Sequence, residues 1–264
     1  MSLVPADHWA ALRKHTPARI ALGRAGDSLP TRAMLEFGLA HAQARDAVHH
    51  AWDAAGLGRS LQSAGFETLV VHSAAPDRGR YVLRPDLGAR LDPDSRRQLI
   101  ASRRSPPPDL LFVLADGLSP LAVERHGLPL LQAIRPYLGA TQAGPIVIAE
   151  QARVALGDEI GELLAARQVV VVIGERPGLS AADSIGLYLT FNPRVGLSNA
   201  DRNCISNVRP AGLDFATAAM KLLALVGGAI RLGRSGIDLK EEEPAGNLGT
   251  AARAGNVPAA GHGP

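Results

Sequence analysis

The run Val169-Val170-Val171-Val172-Ile173-Gly174 constrains the fold more than any other stretch. Its five β-branched residues leave no polar face to turn to water. They fit a central strand of a parallel sheet covered by helices on both sides. The run breaks at Gly174, and Glu175-Arg176-Pro177-Gly178 follow at once. In an open α/β sheet, ligands bind in the crevice beyond the carboxyl ends of the strands, so this loop is a first candidate site. Twenty-nine residues after Glu175 stands Cys204, the only cysteine in the chain.

Elsewhere strands and helices alternate. Residues 68–72 read as a strand, followed by a polar loop and Tyr81-Val82-Leu83. Asp92-Pro93 opens a short helix to Ile100, and Pro106-Pro107-Pro108 marks a stiff junction. A strand at 110–115 ends in Asp116-Gly117-Leu118-Ser119, and a helix starts near Pro120. Further strands fall at 145–149, 169–173, 186–191 and 204–208, with helices at 153–166 and 214–232. This alternation predicts an α/β fold: a Rossmann-like, mostly parallel sheet with helices on both faces. A small helical segment, residues 1–60, precedes the sheet domain at 61–240. In that segment Thr31 is placed as the cap of an amphipathic helix running through Phe37 and Leu39 to Val48 and Trp52. Residues 56–65 read as a connector. Residues 241–264 are rich in Glu, Gly, Ala and Pro without periodicity and are expected to be a disordered tail.

Composition excludes several classes. With 46% hydrophobic and 20% charged residues the chain can build a core. No continuous apolar run approaches the ~20 residues needed to cross a bilayer, and no signal peptide is visible around Asp7 and His8. One cysteine rules out an intrachain disulfide or a Cys-rich zinc site, which makes the cytoplasm the expected compartment. Arginine carries nearly all the positive charge, since Lys14, Lys221 and Lys240 are the only lysines. The arginines are scattered and aromatics are only 4%, which argues against a nucleic-acid stripe and for ion pairs on surfaces and interfaces.

Three strand ends carry polar groups: Asp116-Gly117, Glu150-Gln151 and Gly174-Glu175-Arg176. On parallel strands all three lie on one rim, a wide and shallow platform suited to a cofactor. Singly, each carboxylate reads as a helix cap or an arginine partner. The chain has no G-x-G-x-x-G after a strand, no phosphate loop and no G-x-S-x-G elbow. Cys204 has no histidine near it in sequence and reads first as a lone buried thiol. No self-sufficient active site emerges, which points to a subunit that works with a partner.

Five motifs then carry a resemblance. I-G-E-R-P-G-L-S (173–180) and D-R-N-C-I-S-N (201–207) closely resemble the small subunit of ethanolamine ammonia-lyase. So do A-R-I-A-L-G-R-A-G (18–26), V-L-A-D-G-L-S (113–119) and V-I-A-E-Q-A-R-V-A-L-G-D-E-I-G-E-L-L (147–164). The resemblance spans residues 16–239. It implies a chain that joins a large catalytic subunit in a hetero-oligomer with several copies of each. That complex converts ethanolamine to acetaldehyde and ammonia by an adenosylcobalamin-dependent radical reaction, with the cobalamin at the subunit interface. Segment 1–60 becomes a subunit contact and 61–240 a cobalamin platform. Packaging in a protein-shelled microcompartment is a family expectation.

By motif matching, the implied cofactor-binding residues are Val154, Glu175 and Cys204, with no catalytic or metal-ligating residue. Val154 would start a helix and offer an apolar contact, Glu175 would accept hydrogen bonds from the amides fringing a corrin, and Cys204 would give a small polarizable surface. Arg176 and Asp201 are expected to fix loops. The chain lacks the D-x-H-x-x-G motif by which a histidine displaces the nucleotide base, so the expected mode is base-on. Two other readings stay open: a free-standing α/β enzyme using Cys204, and a non-catalytic assembly subunit.

Overall fold

The computed structural model describes residues 7, 9–139, 141 and 143–240; the tail expected at 241–264 lies outside them. One six-stranded sheet forms the core. Strands β1 (Thr68–His72), β2 (Leu110–Ala115), β3 (Ile146–Glu150) and β4 (Gln168–Gly174) pair in parallel. Strands β5 (Ile185–Phe191) and β6 (Arg202–Val208) each run antiparallel to the strand before. The strand order is β1-β3-β2-β4-β5-β6. The α/β class is therefore as expected, while the order differs from the 3-2-1-4-5-6 of the dinucleotide-binding fold.

Successive residues of a strand face opposite ways, and here both faces are covered. Phe112, Leu114, Val170 and Val172 pack under helices α2 (Ala54–Ser63), α5 (Pro120–Ile134) and α7 (Phe215–Leu232). Leu111, Val113, Val169, Val171 and Ile173 pack under α4 (Pro93–Ala101) and α6 (Leu156–Leu163). Every residue of β4 is buried, which is why its sequence shows no polar alternation.

Several local expectations are corrected. Thr31 is the first residue of α1 (Thr31–His49), not its cap; Pro30 holds that position, and the helix ends at His49, before Trp52. Residues 56–65 are not a connector. Asp53 accepts a hydrogen bond from the Gly56 N–H and starts α2, whose Ala54, Leu57 and Leu61 enter the core. Tyr81 lies in the short helix α3 (Arg78–Leu83), capped by Asp77. The helix expected from Arg153 begins only at Leu156. Among the described residues α7 is long and apolar enough to cross a membrane by length and composition, though Lys221 interrupts its apolar run. In this fold its Leu222, Leu225, Val226 and Ala229 are buried in the sheet's core.

Helix α1 stands apart: only Ala40 and Ala47 are buried, while Met34, Leu35, Phe37 and Leu39 face outward.

Candidate functional site

An open groove of about 420 Å³ lies beyond the carboxyl ends of β2, β3 and β4. Gly117 and Leu118 follow β2, Arg153 and Val154 follow β3, and Gly174, Glu175 and Arg176 end or follow β4; Tyr81 and Tyr188 close the sides. This is the rim at which the strand-end argument places a ligand. Of the three carboxylates expected there, Asp116, Glu150 and Glu175, only Glu175 lines the groove.

Glu175 is half-buried and held from both ends. Its N–H donates to the Ser184 carbonyl at 3.0 Å, and its carboxylate accepts the Asn207 N–H at 3.1 and 3.3 Å. Asn207 has a left-handed backbone, with φ of 58°, and its side-chain oxygen accepts from Arg209 Nε at 3.1 Å. A carboxylate offers about four lone-pair positions, so Glu175 retains acceptor capacity toward the groove. Cys204 does not line the groove. It pairs across the strands with Tyr188, which does, and direct antiparallel partners share a face. Burial first, then the neighbouring thiol and Glu175, pushes the Tyr188 phenol up.

Cys204 is exposed, with its sulfur 3.2 Å from Ser206 Oγ, so the buried-thiol reading is overturned. Val154 lines the groove from a turn two residues before α6, not from the start of the helix. Asp201 fixes a loop, as expected, through a capping box with Ser198. Arg176 is exposed and lines the groove. Sequence reasoning missed Arg153, Tyr81 and Tyr188. The available signal was adjacency: Arg153 precedes Val154 in the A-R-V-A-L-G motif.

Asp116 sits beneath the groove as a fastener. Oδ1 accepts from Gly117 N at 3.0 Å and Ala152 N at 2.9 Å, and Oδ2 pairs with Arg78 Nη1 at 3.0 Å. It ties the turns after β2 and β3 to α3. Burial outweighs these partners and lifts its carboxyl from 3.8 to about 6. A folded value above the unfolded one means that the folded state holds this proton more tightly. The linked stability is full below about pH 4 and lost as pH rises through 6, on the order of 2–3 kcal/mol. Wild type should therefore gain stability relative to Asp116→Asn as pH falls from 7 to 4. Urea midpoints of both proteins across that range check it, and a constant difference would sink the assignment.

Comparison with known proteins identifies the family. The family model for the ethanolamine ammonia-lyase light chain (EutC) matches residues 6–240. An ethanolamine ammonia-lyase small subunit of Pseudomonas putida is 52% identical over 259 residues, covering 96% of this chain and 95% of that one. The small subunit of Ralstonia nicotianae is 56% identical over 238 residues, 88% of each. That of Azotobacter vinelandii is 55% identical over 244 residues, 91% of this chain and 90% of its own. The chain therefore belongs to the family of light, or small, subunits of ethanolamine ammonia-lyase, a carbon–nitrogen lyase.

Proposed function

We propose that this chain forms one wall of an adenosylcobalamin site at its interface with the large subunit of ethanolamine ammonia-lyase. The complex converts ethanolamine to acetaldehyde and ammonia by a radical route. The observation that carries this reading is the groove itself. It lies open at the strand carboxyl ends and is lined by Val154, Glu175 and Tyr188, the cross-strand partner of Cys204.

The residues present fit such a group. Val154 offers an apolar branch to a large planar ligand, and Glu175 has lone pairs left for amide donors. Arg153 has an Nε that is buried without a partner. When bound, the cofactor supplies the radical chemistry, and the protein's part is binding, orientation and exclusion of water. Among the lining residues there is no nucleophile–base pair. We assign this chain no catalytic residue and no cobalt ligand, with the cofactor held base-on. The outward apolar residues of α1 give segment 1–60 a surface for the large subunit, in a hetero-oligomer with several copies of each chain. The complex is placed in the cytoplasm, within a bacterial microcompartment.

The test is acetaldehyde release from ethanolamine and adenosylcobalamin by the large subunit, with and without this chain. Release is expected only from the pair. Full activity from the large subunit alone would leave this chain an assembly role. Turnover by this chain alone, lost in Cys204→Ala, would instead favour a free-standing enzyme.

A further inference from the structure

We propose that the groove contains an anion subsite, built on the Arg153 guanidinium and completed by that of Arg176, which takes a phosphodiester. The inference rests on the cofactor reading above and goes beyond it. Base-on cobalamin carries one phosphodiester, in its nucleotide loop, and the amides fringing its corrin are neutral.

Arg153 is fixed in place. Its backbone N–H donates to the Gly88 carbonyl at 2.8 Å, and a Cβ on Gly88 would lie 2.9 Å from Arg153 Cγ, so the arginine stem runs over that glycine. The guanidinium stacks on Tyr81, with Cζ 4.2 Å from the ring centroid, and Nη2 donates to the Tyr81 carbonyl at 3.3 Å. Tyr81 is fully buried, and its hydroxyl donates to the Ala152 carbonyl at 2.9 Å. A planar cation held on an aromatic face, with its stem clamped, is pre-organised for a fork-shaped contact with an oxyanion.

The local charge is unbalanced in the same direction. Arg78, 4.8 Å from the same ring, is ion-paired with Asp116. Among the described residues, neither Arg153 nor Arg176 forms an ion pair. Glu175 is the one acidic residue among those lining the groove, and its carboxylate already accepts the Asn207 N–H. Two arginines thus line the groove with one engaged carboxylate, and Arg153 carries a buried Nε–H with no acceptor. An arriving anion would relieve that surplus.

Cobinamide has the corrin but lacks the nucleotide loop and its phosphodiester, so it separates this subsite from the rest of the groove. The assembled complex is titrated with cobalamin and with cobinamide, followed by visible absorption, using wild type, Arg153→Gln and Arg176→Gln. Arg153→Gln should weaken cobalamin binding about ten- to a hundredfold, the range for one charge-assisted contact, and change cobinamide binding less than twofold. Arg176→Gln lies on an exposed loop where folding is not at stake. It should show the same selectivity with a smaller loss. Equal weakening of both ligands, or of neither, would overturn the subsite while leaving the cofactor reading intact. Failure of the wild-type complex to bind either ligand would overturn both.

Discussion

Gly174→Ala is expected to destabilise the chain by about 3 kcal/mol or more, at the upper end of what overpacking costs. A Cβ at Gly174 would lie 2.6 Å from the Asp116 carbonyl oxygen and closer still to that of Ser119. Both neighbours are backbone, so no side chain can swing away. The turn cannot retreat either. Leu118 N donates to the Gly174 carbonyl at 2.9 Å, and Asp116 is bound to Gly117, Ala152 and Arg78. The ends of β2 and β4 are thus locked backbone to backbone directly under the groove. Any relaxation would move Glu175, the next residue. Gly38, within α1, has nothing within 4 Å of its would-be Cβ, so Gly38→Ala should gain up to about 1 kcal/mol from helix propensity. Urea denaturation followed by circular dichroism compares the two. Similar midpoints would mean that the contact at Gly174 yields easily and does not set the rim.

The sheet's centre was legible because it is written in short continuous apolar runs, β-branched from Val169 to Ile173 in β4. Strand β4 is the strand read at 169–173 with one residue added at each end, and those read at 186–191 and 204–208 lie within β5 and β6. Helix α2 was not legible, because Gly56 and Gly58 lower helix propensity over the residues whose Leu57 and Leu61 fill the core. The exposure of Cys204 was hidden for a different reason. Arg202 pairs with Thr190 and Cys204 with Tyr188, so the two side chains share a face. Asp158 of α6 covers Arg202, but two residues further along this edge strand the same face is uncovered at Cys204. Alternation alone reports which face a residue takes, not where the covering helix stops. The groove's location followed from strand-end geometry. The choice of Val154, Glu175 and Cys204 came from family resemblance, since none of the three carries a local signature. For Arg153 the sequence offered only its place beside Val154: its partner is the Tyr81 ring, 72 residues away in sequence and set on a helix that the sequence does not announce.

Arg202→Ala should cost about 3–5 kcal/mol, the range for stranding one partner of a buried ion pair. Arg202 Nη2 donates to Asp158 Oδ2, and both side chains are only 3% exposed. Arg202 also donates to Asn199 Oδ1 at 3.2 Å and to the Leu197 carbonyl at 3.3 Å, so it closes the loop before β6 as well. Without it Asp158 remains in the core with its compensating charge removed, and burial already pushes that carboxyl up. Replacing both partners by apolar residues, in Arg202→Met with Asp158→Leu, removes the stranded charge and should recover most of the loss. That recovery separates a charge effect from loss of packing. If the double variant is as unstable as the single one, the arginine stem and not its charge holds β6. The arginine of the D-R-N-C-I-S-N motif then has a structural meaning either way. It anchors β6 to α6 two residues before Cys204, so the edge strand carrying the thiol is pinned beside Tyr188 at the groove. Urea midpoints of the single and double variants, with accessibility of Cys204 to a thiol reagent as a local readout, check both parts. The single variant should also raise the labelling rate, and an unchanged rate would show that β6 does not depend on this pair for its place at the rim.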